Sequence, residues 1–317
     1  MRILVTGATG FMGSHLVDYL LEHDMGTVQI LKRWRSDGRM NNLEHLEPGR
    51  IKVYEGDLTD PYSLAEVLKR AQPDQIYHVA AHTHVPYSYT SPLATLDTNL
   101  QGTIHLLETC RTYVPHCKIL IVSSGEVYGS HDDTITEESA LNVRSPYGLG
   151  KLAEDRAAYM YQQAYGMNIL IARSFSQVGP RKYVGLVDSA WCYQLAKMER
   201  GLQKEILQVG RLDTIRTFCD CLDMVKAYVM FMEDGQAGEL YNICGDDVLK
   251  MEDIITFLRR LTQMQFQVRE DPFLMRPTDV LALKPSSEKF RQRFGWQPET
   301  AYVASLERLL NYWRERV

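Results

Sequence analysis

The sequence predicts an α/β chain built on a doubly wound parallel sheet, followed by a smaller C-terminal α/β lobe. Two observations carry this. Over roughly the first 175 of 317 residues, short apolar, β-branched runs alternate with segments of helical period, and no repeat or low-complexity linker interrupts them. Past Gly179 that alternation loosens. Short apolar strands joined by helices form βαβ units, in which helices cover both faces of the sheet and the crossovers are right-handed.

Each element has its own signal. Met1–Val5 reads as the first strand, followed by a glycine-rich turn and a helical stretch through Glu22. Val28–Leu31, Ile51–Tyr54, Gln75–Val79, Lys118–Val122 and Ile169–Ile171 read as further buried strands. Between them, Ser63–Ala71, Thr95–Tyr113 and Ser145–Tyr165 have helical period. Past Gly179, Asp188–Arg200, Met251–Gln263 and Val303 to about Arg316 read as helices, and Glu239–Ile243 as one more strand. The expected division is 1–179 with 217–245 returning to it, against 180–216 with 246–317.

Composition excludes several classes of function. Hydrophobic residues make up 45% and charged residues 24%, which rules out a disordered or collagen-like chain. The net charge of −5 gives no basic field for nucleic acid or an anionic membrane. No apolar run approaches the ~20 residues of a bilayer span, and no signal-peptide pattern follows Met1. The cysteines at 110, 117, 192, 219, 221 and 244 are scattered, which points to reduced thiols and a cytoplasmic protein with no metal site. Cys219 and Cys221 are read as small packed residues on a strand.

The first chemical signal is Thr6-Gly7-Ala8-Thr9-Gly10-Phe11-Met12-Gly13, placed between the first strand and the first helix. Glycines at 7, 10 and 13 allow a tight turn, close approach to a pyrophosphate, and close packing of helix on strand. The amides and dipole of the helix then face the phosphates. The second strand runs into Lys32-Arg33-Trp34-Arg35, with no carboxylate before Asp37. A ribose 2′-hydroxyl wants a carboxylate there and a 2′-phosphate wants arginine, so Arg33 and Arg35 point to NADP(H). A solvated basic turn is the plainer alternative. Asp57, in Gly56-Asp57-Leu58, is expected near the adenine amino group, or else as a helix cap.

The second signal is Tyr147-Gly148-Leu149-Gly150-Lys151. Positions i and i+4 share a helix face, and Ser145 with Pro146 makes a good helix start. Opposite charge from Lys151 is expected to lower the phenol pKa from ~10, making Tyr147 a usable general acid or base. Ser123-Ser124 ends the strand Lys118–Val122, at the sheet edge where ligands bind in open α/β folds. Ser124 is therefore expected to bond a substrate carbonyl beside Tyr147.

With these residues in hand, the chain resembles an extended short-chain dehydrogenase/reductase of the nucleotide-sugar type, with a Rossmann-type cofactor domain. The residues that carry the resemblance are Thr6–Gly13, Asp57, His78-Val79-Ala80-Ala81, Asn99, Ser123–Gly129, Tyr147 with Lys151, and Arg173–Pro180. Arg216–Asp223, Tyr241-Asn242 and Gly295-Trp296-Gln297-Pro298 extend it over essentially the whole chain. Within that class the chain is most similar to GDP-mannose 4,6-dehydratases and GDP-4-keto-6-deoxy-D-mannose reductases.

The resemblance implies NADP(H) contacts from Gly7, Thr9, Gly10, Phe11, Met12, Gly13, Arg33, Arg35, Asp57, Leu58, Ala80, Ala81, Tyr147 and Lys151. It implies substrate contacts from His84, Ser124, Gly125, Glu126, Tyr147, Ser176, Arg216 and Arg276, with both arginines on the diphosphate or ribose. Many relatives carry Asn where this chain has Ser176. Ser124, Glu126, Tyr147 and Lys151 are the expected catalytic set.

Reduction and dehydration ask different things of these residues. A 4,6-dehydratase removes the C5 proton and expels the C6 hydroxyl, so it needs a base and a proton donor. Glu126 fits the base, but Gly125 stands where dehydratase relatives show Asp or Ser, and glycine donates nothing from a side chain. A reductase needs hydride delivery to C4 and a proton for O4 from Tyr147. The reading is therefore NADPH-dependent reduction of a GDP-linked 4-keto-6-deoxy sugar, with 4,6-dehydratase as the alternative. A non-catalytic NADP-binding sensor is a third reading, which the intact Ser124, Tyr147 and Lys151 oppose. Leu149, Leu152, Ala153, Ala157 and Met160, with Ala158 alongside, form an apolar stripe on the catalytic helix. Together with Thr95–Tyr113 it predicts a homodimer through a four-helix bundle, or a dimer of dimers.

Overall fold

A computed structural model describes residues 1–34, 39–276 and 278–317. Seven parallel strands form the central sheet: β1 Arg2–Thr6, β2 Thr27–Lys32, β3 Lys52–Glu55, β4 Gln75–His78, β5 Lys118–Ser124, β6 Ile169–Ser174 and, from much later in the chain, β10 Leu240–Ile243. Their spatial order is β3-β2-β1-β4-β5-β6-β10, so the order reverses beside β1. That reversal opens a crevice at the carboxyl ends of β1 and β4.

The strands alternate strictly between the two layers of core. Ile3, Val5, Leu120, Val122, Leu170 and Ala172 pack on the side of helices α1 (Phe11–Glu22) and α8 (Cys221–Asp234). Leu4, Ile119, Ile121, Ile169 and Ile171 pack on the side of α2 (Pro61–Ala71), α5 (Gly102–Tyr113) and α6 (Pro146–Tyr165). A period of two places successive side chains on opposite faces, and both faces are apolar because helices cover both.

The second lobe holds α7 (Val187–Glu199), α9 (Met251–Thr262) and α11 (Tyr302–Arg314) around a third core. A three-stranded sheet and a two-stranded sheet complete it. The first joins β7 (Ser176–Val178), β9 (Ile215–Asp220) and β11 (Asp247–Lys250); the second pairs β8 (Ile206–Val209) with β12 (Gln267–Glu270). Strand β9 belongs to this lobe, and the chain returns to the central sheet with α8. Cys219 ends on β9 while Cys221 opens α8, so the two do not share a strand. All six thiols are free and buried, and burial pushes each above its ordinary pKa. Among the described residues, no helix is long and apolar enough to cross a membrane.

The helix expected over 95–113 is interrupted. It runs as α4 (Pro92–Leu96), a π-helical turn at Asp97–Gln101, then α5. The wide turn carries Asn99, whose side-chain carbonyl accepts from the His82 amide at 2.7 Å and whose amide donates to the His82 carbonyl at 3.1 Å. One extra residue in the turn thus fixes the loop after β4 at the rim of the crevice.

Candidate active site

The carboxyl ends of β1 to β6 open into a cleft of about 2210 Å³ that continues into the second lobe. A single drug-sized ligand needs ~300–1000 Å³, so the cleft has room for a dinucleotide and a second nucleotide. Gly7, Thr9, Gly10, Phe11, Met12, Gly13, Arg33, Asp57, Leu58, Ala80, Ala81, His84, Ser124, Gly125, Glu126, Tyr147, Lys151, Ser176, Arg216 and Arg276 all line it. Arg35 lies outside the described residues.

At the β1 end, packing dictates two of the three glycines. Gly7 has φ +69°, and a Cβ there would meet Ala80 N and Cα at 2.7 Å. A Cβ on Gly13 would stand 2.8 Å from Ala8 Cα. Gly10 is different: its Cβ would meet only the Gly7 carbonyl, at 3.1 Å. No side chain caps α1, so its first amides face the cleft. An open glycine before an uncapped helix N-terminus fits a pyrophosphate. Leu58 is buried on the cleft wall. Asp57 Oδ1 accepts from the Thr59 amide and hydroxyl, while the cap of α2 is Asp60. The helix-cap alternative for Asp57 therefore falls to its neighbour. Arg33 and Trp34 are exposed at this rim, and Arg39 lines the same end.

Beneath the rim, a chain of hydrogen bonds ties β1 to β4 and α5. The Thr103 hydroxyl donates to Asn99 O at 2.7 Å, which obliges His78 Nε2–H to donate to Thr103 Oγ1 at 3.0 Å. His78 Nδ1 then accepts from Thr6 Oγ1 at 2.8 Å. Burial holds this imidazole neutral, down at about 3.

The catalytic helix starts as expected, with Ser145 Oγ accepting from Gly148 N at 3.0 Å and Pro146 in the first turn. Tyr147 and Lys151 share its inner face. Lys151 Nζ, almost fully buried, donates to Val122 O at 2.7 Å and to Glu154 at 2.8 Å. Burial pushes Glu154 up to about 7 against the pull of Lys151, and its second oxygen has no partner. The expected lowering of the Tyr147 phenol is reversed. Burial is the largest influence and raises it, outweighing the opposing pull of Lys151 and of the Ser124 hydroxyl. The sequence showed the cation but not the depth of the phenol, nor that Glu154 shares the ammonium's charge.

Ser124 ends β5 and caps the short turn after it, accepting from the Glu126 amide at 3.2 Å. Arg276 reaches across from the second lobe to Glu126, at 3.6 Å. Arg216, on β9, bonds Asp279 at 3.4 Å. Two guanidiniums thus converge on the cleft beside the Ser124–Tyr147 pair. Ser176 opens β7, and His84 Nε2 contacts Gly185 O at 3.2 Å.

Gly125 is constrained by a side chain distant in sequence. A Cβ there would collide with the Phe175 ring, 2.7 Å from Cζ and nearer still to Cε1 and Cδ1. Phe175 is 5% exposed and lies parallel to Tyr128 at 6.2 Å. The glycine is visible in the sequence, but the ring that demands it is fifty residues away.

A model of the GDP-mannose 4,6 dehydratase family matches residues 4–309. The chain belongs to that family. A GDP-6-deoxy-D-mannose reductase from Pseudomonas aeruginosa is 31% identical over 320 residues, covering 100% of this chain and 98% of the relative. Among solved structures, RMD from Pseudomonas aeruginosa complexed with NADPH aligns with a TM-score of 0.84 at 30% identity, over 100% of both chains. A dTDP-glucose 4,6-dehydratase from Streptomyces venezuelae with NAD and TYD bound aligns at 0.89 and 28% identity, over 100% of this chain and 98% of that one. The family thus spans reductases and dehydratases on one fold, and the site must discriminate between them.

Proposed function

We propose that this family member reduces the C4 ketone of a GDP-linked 4-keto-6-deoxyhexose with NADPH. The bound nicotinamide supplies the hydride. Gly7, Thr9, Gly10, Phe11, Met12 and Gly13 hold its pyrophosphate, with Ala80 and Ala81 behind. Arg33 and Arg35 meet the 2′-phosphate, and Asp57 with Leu58 frames the adenine. Lys151 orients the ribose. Arg216 and Arg276 bind the substrate diphosphate, His84 and Ser176 flank the sugar, Ser124 bonds O4, and Tyr147 gives O4 its proton. The division of labour is a cofactor domain over 1–175 plus 221–245, and a substrate lobe over 176–220 plus 246–317, the expected boundaries at 179 and 217 being moved so that β7 and β9 stay with the lobe's sheet.

One observation carries the choice of reduction. The position beside Ser124 accepts no side chain, because Phe175 fills the space, so the site lacks a donor there for a departing C6 hydroxyl. Glu126, the remaining feature of a dehydratase, supports that second reading by its place in the cleft. Its carboxylate stands 3.6 Å from the Arg276 guanidinium of the second lobe, so it already has a partner there. Relatives named as a reductase and as bound to NADPH support the first reading.

Product analysis tests it. The purified protein is given GDP-mannose alone, or GDP-4-keto-6-deoxymannose with NADPH or NADH. Conversion of the ketone, faster with NADPH, is expected. Conversion of GDP-mannose alone, with the ketone untouched, overturns the reading.

The protein acts as a homodimer, in the cytoplasm to which its free thiols suit it. Leu149 and Met160 are each 47% exposed, and Leu152, Ala153 and Ala157 are half-buried beside them, whereas Ala158 faces the interior. Leu93 on the neighbouring α4 is 74% exposed. An apolar stripe of this kind on a soluble helix fits a second copy across a two-fold axis. Light scattering at micromolar concentration should give twice 36.4 kDa; the monomer mass would refute it.

A further inference from the structure

Phe175 does more than exclude a side chain at position 125. It ends at the cleft, immediately after β6, and both it and Gly125 line the cavity. The chain neighbours of Ser124 and of Phe175 that line the cleft beside them are polar or without a side chain: Gly125, Glu126, Ser174, Ser176 and Gln177. Ser174 Oγ is itself engaged, 2.7 Å from the Tyr228 hydroxyl. The ring is also held firmly. It lies parallel to Tyr128, which is fixed by its hydroxyl to Asn242 at 2.8 Å and by Arg173 Nη1, also at 2.8 Å. Val127, Ile135, Cys244, Val280 and Leu283 surround it. The wall is therefore rigid and apolar at a point where a hexose would otherwise meet polar groups.

A 4-keto-6-deoxyhexose has one fully apolar substituent, the C6 methyl, two bonds from the carbonyl that Ser124 and Tyr147 would hold. We propose that the part of the Phe175 ring that lines the cleft, standing where a side chain at position 125 would be, is the seat of that methyl and selects 6-deoxy over 6-hydroxy sugars. This rests on the reductase reading and names the residue that sets its specificity. A C6 hydroxyl pressed on the ring would lose its water without gaining a partner. A hydrophobic pocket rejects an added hydroxyl by at most about 10²-fold, so the expected discrimination is about ten- to a hundredfold.

The test compares GDP-6-deoxy-D-mannose with GDP-D-mannose, which differ by the C6 hydroxyl alone. Their inhibition constants are measured against NADPH-dependent reduction of the ketone. The wild-type protein should favour the 6-deoxy ligand at least about tenfold. Phe175→Leu, which keeps an aliphatic wall, should hold most of that preference. Phe175→Thr should bring the two constants within about threefold by admitting water and a hydroxyl partner. NADPH binding, followed by fluorescence, reports whether each variant is folded. Equal constants in the wild type overturn the proposal without any variant, and so does a Phe175→Thr protein that keeps the full preference. If the wild type does not reduce the ketone at all, the reductase reading falls and takes this inference with it. Reduction without discrimination removes only the role of Phe175.

Discussion

Replacing Tyr147 with Phe is expected to lower turnover about 10²–10⁴-fold while leaving NADPH affinity within a few-fold. The substitution keeps the ring packed on the inner face of the catalytic helix and removes only the hydroxyl. During reduction, negative charge develops on the C4 oxygen as hydride arrives, and the phenol is the group placed to neutralise it. Its raised pKa suits this direction. At neutral pH the phenol is fully protonated and available as an acid, and Lys151 with Ser124 then favours the phenolate left behind. The sign fixes the pH profile: an acid that must be protonated loses activity as pH rises through its pKa. The alkaline limb of kcat/KM for reduction should therefore lie above 10, the ordinary phenol value, and not below it. It should disappear in Tyr147→Phe. Near wild-type turnover in that variant would defeat the mechanism, and the proton would have to come from Glu126 or water.

Periodicity made most of the central sheet legible because its strands are buried on both faces and its crossovers are regular. Strand β10 was visible for the same reason, as an apolar run at 240–243. Helix α8 was not, because it is apolar nearly all round. Met224, Val225, Tyr228, Val229, Phe231 and Met232 are all buried, so no polar stripe marks a helical period. The π turn at 97–101 was hidden for the opposite reason: the period continues through it, and only the bond from Asn99 to the His82 loop shows why one residue is inserted. Glycines and the Tyr–Lys pair announced the site. Its surroundings stayed hidden, since they depend on partners distant in sequence: Arg276 beside Glu126, Phe175 against Gly125, and the burial of Tyr147.

The catalytic helix turns two carboxylates inward, which no motif announced, and the second large effect follows from it. Glu154 and Asp155 are almost fully buried, while Leu149 and Met160, part of the stripe read as a face for a second copy, are half exposed. Asp155 accepts from Arg173 Nε on β6 at 2.6 Å, and Arg173 continues to the Tyr128 hydroxyl. The Arg173 guanidinium also stands 5.0 Å from the Tyr128 ring centre. This pair fastens the helix that carries Tyr147 and Lys151 to the strand that leads into Phe175.

Asp155→Ala should therefore destabilise the protein by about 3–5 kcal/mol. A guanidinium cannot shed its charge, and removing its partner leaves it buried and unpaired. Urea denaturation followed by tryptophan fluorescence reads the loss. Arg156→Ala, at the exposed neighbouring position, should shift the midpoint little. The double variant Asp155→Leu with Arg173→Met decides between an unpaired charge and lost packing. If the cost comes from the stranded charge, removing both partners recovers most of the stability, because apolar replacement of a whole buried pair is often neutral. If the single variant lies within about 1 kcal/mol of wild type, the pair does not anchor the helix. If the double variant is as unstable as the single, the cost lies in the shape of the side chains and not in their charge.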